Sequence, residues 1–341
     1  MPDAPTDDPD AIRALLREHG IFAAGEPVEL DFLSGGVSST VVRARGGGRC
    51  AVFKRALPRL KVRDEWRSRP ERSLIEARCA ALLADLVPGA VPAPLAIDGR
   101  RHAFVMACAP EGSETWKAHL MAGAIEPGTA AAAGALLGRI HARSAARPAL
   151  AADFADRSFF DELRVDPYLR TVARRHPDLA MPLGAMIDDL LATRACLVHG
   201  DYSPKNLLVA PDGGLLLLDH EVAHWGNPVF DAAFALNHLG LKALKFPGRA
   251  PAYLACASAF WEEYRAQDPP GGDRLAAETA RLLGGLLLAR VDGKSPVEYL
   301  EADEERGRVR ALARALIAER VAEVDAVFDR VAGVAAGVGH G

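Results

Sequence analysis

The sequence predicts an α+β protein of two lobes: a small antiparallel β-rich lobe over residues 1–107 and a larger, mainly helical lobe over residues 108–341. Three observations predict it. Short β-rich runs punctuated by glycines crowd the stretch before residue 108. Ala- and Leu-rich helical patterns take over after residue 110, and one brief strand and hairpin pattern at 197–228 interrupts them. At 341 residues the chain exceeds a typical single domain. With 50% hydrophobic and 25% charged residues it can bury a sizeable core.

Residues 10–20 (DAIRALLREHG) have helical periodicity and stop at a glycine. Three short strands follow, marked by Leu30 and Phe32, by Val41 and Val42, and by residues 51–53. The glycines at 35–36 and 46–48 between them read as hairpin turns. Residues 70–89 form an amphipathic helix with Pro70 near its start and Pro88 and Gly89 at its end. Two more strands, near 92–97 and 102–107, turn at Asp98 and Gly99. Beyond residue 110, helical patterns cover 128–144, 180–194, 229–243, 250–266, 273–291 and 304–333. The strand-like runs 197–199, 206–209 and 215–218 form the embedded hairpin.

Composition excludes several classes. The formal net charge is -4 and no basic run with interleaved aromatics occurs, so no nucleic-acid partner is expected. No apolar stretch approaches the ~20 residues of a membrane span, and the acidic start MPDAPTDDPD is not a signal peptide. The five cysteines, Cys50, Cys79, Cys108, Cys196 and Cys256, contain no C-x-x-C pair. They read as reduced thiols in a cytoplasmic protein, monomeric or homodimeric, rather than as a disulfide framework or a zinc site.

The chemistry concentrates in LVHGDYSPKNLLVAPDGGLLLLDHEVAHWGNP, residues 197–228. His199-Gly200-Asp201 follows a strand, Asn206 comes five positions after Asp201, and Asp219-His220-Glu221 follows the apolar run 215–218. Asp201, Asn206 and Asp219 could face one point from two adjacent turns. Hard oxygen ligands without cysteine select Mg²⁺ over zinc. A carboxylate left off the metal could take a proton from a hydroxyl, an assembly suited to phosphoryl transfer. The competing reading, a turn and a solvated loop, has to produce the joint pattern by accident.

HGDYSPKN and LLDHE…FDAAF resemble the aminoglycoside phosphotransferase and choline kinase superfamily, which has a protein-kinase-like fold. The resemblance implies ATP and Mg²⁺ as cofactors and a small-molecule alcohol as acceptor. It implies Asp201 as the catalytic base, and Asn206 and Asp219 as metal ligands. Asp231 matches an aspartate that braces the catalytic loop in such folds. Asp219-x-Glu221 is similar to the acidic variant in methylthioribose kinases, which implies a metal role for Glu221 as well. The turn ALP after the lysine strand, with a later Trp, occurs in methylthioribose kinases too.

The remaining candidates each have two readings. Lys54 ends the apolar strand AVFK, and Glu76 lies in the helix SLIEARCAALL. They resemble the kinase lysine–glutamate pair that serves the α- and β-phosphates; alternatively Lys54 snorkels from a strand edge. Gly35 and Gly36 would let a hairpin approach phosphates, with Ser38 and Ser39 donating to them, or form a plain turn. Met106 and Cys108 sit where a hinge would hold adenine; Met106 also fits a core role. His224 and Trp225 would line an acceptor pocket, or Trp225 simply packs. Arg290 matches one of the paired arginines of a methylthioribose kinase helix, or belongs to a charged helix end with Lys294. Three functions follow: a kinase for a sugar-like or amino-alcohol substrate, an aminoglycoside or other antibiotic phosphotransferase, and a non-catalytic nucleotide-binding module.

Overall fold

A computed structural model describes residues 8–33, 39–57 and 68–338. The chain opens with helix α1 (Pro9–Glu18), capped by Asp8, whose side chain accepts from the Asp10 N–H. Strands β1 (Glu29–Phe32), β2 (Ser39–Gly46), β3 (Arg49–Ala56), β4 (Pro94–Asp98) and β5 (Ala103–Ala107) form one antiparallel sheet in the order β1-β2-β3-β5-β4. β2 and β3 turn tightly at Gly47 and Gly48, whose φ values of +52° and +72° are left-handed. Ile12, Leu16, Val42, Phe53 and Val105 form a small core between α1 and this sheet.

Helix α2 (Arg72–Leu86) lies between β3 and β4 in sequence and packs on β3, β4 and β5. Its start is pinned where the Ser73 hydroxyl accepts the Ala56 N–H at 3.0 Å. That anchor sets Glu76, one turn on, against the end of β3. The turns ALP and Trp66 of the intervening segment fall largely outside the described residues.

After β5 the chain is mostly helical. β6 (Glu114–Thr115) and α3 (Trp116–Ala122) lead to α4 (Pro127–Ala145). A continuous helix over 158–175 follows: α5 (Ser158–Phe160), a π-helical stretch (Asp161–Arg170) and α6 (Thr171–Arg175). Next come α7 (Ala180–Ala192), β7 (Cys196–Val198), β8 (Leu207–Val209), β9 (Leu215–Leu217) and β10 (His224–Gly226). The chain ends in α8 (Val229–Lys245), α9 (Ala250–Arg265), α10 (Leu275–Asp292), α11 (Asp303–Glu319) and α12 (Val324–Val338). α8 is buried along almost its whole length and forms the axis of the main core. α4 and α9 meet backbone to backbone: a Cβ on Gly134 would fall 2.1 Å from the Phe260 carbonyl oxygen, so only glycine fits.

Three expectations are corrected. The helix expected over 304–333 is two helices, because Arg320 adopts φ +52° and ends α11 in a left-handed cap. The helices at 116–122 and 158–175 were not foreseen; the second contains Pro167 and has no 3.6-residue apolar period. The cysteines are not all reduced: Cys50 and Cys108 form a disulfide, with Cα atoms 5.6 Å apart. Spacing rules miss this pair because it crosses strands. Ala51 pairs with Ala107 in the β3–β5 ladder, which brings the flanking cysteines side by side. Cys79, Cys196 and Cys256 are buried and free. The cysteine argument for a cytoplasmic protein therefore loses its premise. Among the described residues no helix is long and apolar enough to cross a membrane.

Candidate active site

The loop after β7 is built around a buried carboxylate. Asp231, in the first turn of α8, accepts the N–H groups of His199 at 2.6 Å and Gly200 at 2.8 Å. It also meets His141 Nε2 at 3.2 Å. Burial would raise its pKa, but the His141 hydrogen bond and these donors outweigh burial and hold it low. Gly200 sits at φ +78° with Val222 against it; a Cβ would approach Val222 Cγ2 to 2.8 Å. His199 then bridges the two acidic turns. Its Nδ1 lies 3.1 Å from the Asp201 N–H and its Nε2 3.0 Å from the Leu218 carbonyl, which fits the neutral tautomer with the proton on Nε2. The Leu218 N–H in turn donates to the Asn206 carbonyl at 2.8 Å. Asp219 follows at φ +68°, a strained position for a non-glycine residue that commonly marks function.

Lys54 is buried and ionised between two carboxylates. Its Nζ donates to Glu76 Oε1 at 2.6 Å and to Asp219 Oδ1 at 2.5 Å. Burial alone would lower its pKa; Asp219, Glu76 and Glu221 more than reverse that. Burial raises Glu76 to about 8, against the pull of Lys54. Burial opposes ionisation of Asp219, yet Lys54 and Lys205 hold it well below the usual carboxylate range. Oxygens of Glu76, Asp219 and Glu221 lie within 4.8 Å of one another. Arg72, fully buried one helical turn before Glu76, donates through Nε to Glu221 at 2.9 Å and through Nη2 to the Leu57 carbonyl at 2.7 Å. Three carboxylates thus face one lysine and one arginine, a set of hard oxygens with room for a divalent cation.

Asp201 has the opposite surroundings. Arg164 from the π-helical stretch (2.9 Å), Lys205 (2.8 Å) and the Asn206 amide (2.8 Å) all donate to its Oδ2. Asn206 also holds the Asp201 carbonyl at 2.9 Å. Among the described residues no donor bonds Oδ1. Burial would raise this carboxyl, but the Arg164 guanidinium and the Lys205 ammonium keep it below the ordinary range.

A cavity of about 860 Å³ joins these groups. It is lined by Lys54, Glu76, Asp201, Asn206, Asp219 and Glu221, and at its β-lobe end by Ser39, Met106 and Cys108. The Ser39 hydroxyl is buried with no partner among the described residues. Cys108 lines the cavity as half of the disulfide. Gly35, Gly36 and Ser38 lie outside the described residues.

A match to the model of the phosphotransferase enzyme family, abbreviated APH, covers residues 29–266. The chain belongs to this family. No curated protein matches it significantly. Its fold is shared with the macrolide 2'-phosphotransferase MphH from Brachybacterium faecium, at 19% identity and TM-score 0.53 over 95% of this chain and 97% of that one. The choline kinase LicA from Streptococcus pneumoniae is similar at 14% identity and TM-score 0.50, over 91% and 99%. The amicoumacin kinase hAmiN, solved with AMP-PNP, Ca²⁺ and amicoumacin, is similar at 13% identity and TM-score 0.57, over 92% and 96%. The protein is therefore a member of the phosphotransferase enzyme family with the two-lobe kinase-like fold.

Not every expected residue reaches the cavity. His224 and Trp225 do not line it, because β10 pairs with β7 and turns both into the core. His224 stacks on Phe160 with ring centroids 4.0 Å apart, and Trp225 is 5% exposed. Arg290 stands behind the wall, where its Nη1 donates to the Tyr168 hydroxyl at 2.9 Å; Tyr168, not Arg290, lines the cavity. The sequence reading also missed residues. Arg72 precedes Glu76 by four positions and shares its helix face, a signal that was available. Lys205 lay inside the quoted loop. Arg164 had no readable signal, since a π-helix has neither of the periods a sequence scan looks for.

Proposed function

We propose that this phosphotransferase moves the γ-phosphoryl group of ATP to a hydroxyl of a sugar-like or amino-alcohol substrate, with Mg²⁺ as its metal. One observation carries the reading. Lys54, bound to both Glu76 and Asp219, shares a single cavity with an ionised Asp201 whose Oδ2 is saturated by three donors. Oδ1 is then the oxygen that orients the acceptor hydroxyl and takes its proton as the new P–O bond forms and the bond from the γ-phosphorus to the bridging oxygen breaks, releasing ADP. A carboxylate with a low pKa suits this, since a loose phosphoryl transfer needs a positioned acceptor more than a strong base. Lys54 would bind the α- and β-phosphates. The stretch 106–108 and Ser39 would hold the nucleotide from the β-lobe. AMP-PNP in the amicoumacin kinase of similar fold supports the nucleotide.

Asp219, with Glu221, Glu76 or Asn206, would hold the cation. When bound, the metal would supply positive charge that offsets the charge of the phosphate oxygens. Glu221 belongs to the same cluster as Asp219, which supports a likeness to methylthioribose kinases and hence a sugar-like acceptor. An antibiotic acceptor is the second reading, supported by the macrolide and amicoumacin kinases of this fold. The test is ATP consumption over a panel of sugars, amino alcohols, aminoglycosides and macrolides, run beside Asp201→Asn. Selective turnover of an antibiotic would move the assignment to the second reading. Near-wild-type turnover by Asp201→Asn would remove Asp201 from the reaction.

A further inference from the structure

The acceptor end of the cavity has a sign. Arg164 and Lys205 reach it, both on Asp201. Lys117 reaches it from α3, held beside the catalytic loop by its N–H on the Pro204 carbonyl at 2.8 Å. Behind the wall, Arg290 is 8% exposed. Its Nη1 bonds Tyr168 and Ser295, two lining residues, and its buried Nε has no partner among the described residues. Below it lies Lys242, 1% exposed, with its Nζ 3.3 Å from the His238 carbonyl and 5.2 Å from the centre of the Tyr299 ring; among the described residues no carboxylate pairs with it within 4 Å, and Glu298 acts on it only from farther off. Against these stand Asp201, the exposed Glu298 paired with Lys117, and the exposed Glu111 on the linker after β5. The other lining carboxylates belong to the Lys54 cluster.

Three buried groups respond to this excess. Burial, then Lys117 and Arg290, press Lys242 down to about 7 against the opposing pull of Glu298. Burial and then Lys242, Arg290, Lys205 and Lys117 drive His238 well below its ordinary value. Burial would raise Tyr168, but Arg290 and Arg164 bring it down instead.

Resting on the kinase reading, we infer that the acceptor alcohol carries an anionic group, a carboxylate or a phosphate ester, which seats between Lys117, Lys205 and the Arg290-backed wall while its hydroxyl meets Asp201. A polycationic acceptor would meet like charge there. A quaternary amine would want an aromatic cage, and Tyr168 is the only aromatic residue lining the cavity among the described residues.

The test uses the full chain with the nucleotide site filled. Binding of Mg·AMP-PNP is measured first; its absence would mean that the kinase reading itself fails. With AMP-PNP saturating, inorganic phosphate, D-gluconate, D-glucose and kanamycin are titrated by calorimetry at low and at physiological salt. The expected result is binding of phosphate and gluconate, weaker with salt, at least tenfold tighter than glucose, with no kanamycin binding. Lys117→Ala, at a partly exposed side chain, should weaken the anions about tenfold and leave AMP-PNP affinity as it was. AMP-PNP binding without anion binding, kanamycin binding more tightly than gluconate, or Lys117→Ala leaving anion affinity unchanged would each overturn the inference. Turnover of a sugar acid against a sugar phosphate then tells which anion is carried.

Discussion

The two ends of the cavity are electrostatic opposites. At the Lys54 end, Glu76, Asp219 and Glu221 surround one lysine and one arginine. At the Asp201 end, one buried carboxylate is held by Arg164 and Lys205, with Lys117, Arg290 and Lys242 beyond. Each end presses a buried group of its own majority sign toward the neutral form. Burial and like charge lift Glu76 to about 8, and burial and like charge lower Lys242 to about 7. Neither end is balanced by the protein alone. In the proposed reading a cation would finish the first, and an anion on the acceptor together with the transferred phosphoryl group would finish the second. On that reading, specificity for charge would be divided along one cavity instead of residing in a single patch.

The largest expected effect breaks the Asp201 end. Asp201→Asn keeps a side chain of the same size and removes the proposed proton acceptor. Turnover should fall about a hundred- to ten-thousand-fold, while Mg·AMP-PNP affinity at the other end stays within a few fold. Equal losses in both would mean that the two ends are not separable. The next breaks the Lys54 end. Arg72→Met leaves Glu221 as a buried charge without its guanidinium, which costs about 3–5 kcal/mol of stability by chemical denaturation. If Glu221 ligates the metal, Mg·AMP-PNP should recover more stability in this variant than in the wild type. Equal nucleotide stabilisation in both proteins would take Glu221 off the metal.

Local features of this site were legible in the sequence and long-range ones were not. The spacing from His199 to Asn206 and from Asp219 to Glu221 is set by single turns, so the loop and hairpin could be placed from residue order alone. Lys54 and Glu76 were found because a charge at the end of an apolar strand needs a partner. Sequence adjacency misled at His224 and Trp225: the β10–β7 ladder carries them into the core within four residues of Glu221. Arg164 was invisible because its π-helical segment has no familiar period. The cations at the Asp201 end come from α3, the π-helical stretch, the loop between β7 and β8, α8 and α10, so no single window of sequence displays their shared sign.

The disulfide offers a smaller, one-sided perturbation. Cys50 and Cys108 join β3 to the linker across 58 residues, at the end of the cavity proposed to hold the nucleotide. Reduction should cost about 2–4 kcal/mol, read by denaturation with and without dithiothreitol. Cys108→Ser should show no response to the reductant. Nucleotide affinity should weaken on reduction while anion binding at the far end holds. An unchanged midpoint would mean that the pair is a dithiol in solution.

Lys242 gives the smallest effect and the most specific sign. Its ordinary pKa of 10.5 falls to about 7 in the folded protein. Between these values the unfolded chain holds a proton that the folded chain refuses. Stability therefore rises with pH from about 7 to 10.5, by at most ~1.4 kcal/mol per unit, and the loss is complete below 7. Lys242→Met removes the titrating group and fills its volume. It should flatten this slope and stabilise the ligand-free protein at pH 7 by about 1–3 kcal/mol, measured by denaturant midpoints across the pH range. The Tyr299 ring returns part of the cost to the wild type, which keeps the expected gain modest. Inorganic phosphate at the acceptor end should close the gap, because a bound anion favours the charged lysine and has nothing to favour in the methionine variant. Destabilisation by Lys242→Met in the absence of ligand would show that the lysine already has its counter-charge, and the contrast between the two ends would then be weaker than the fold implies.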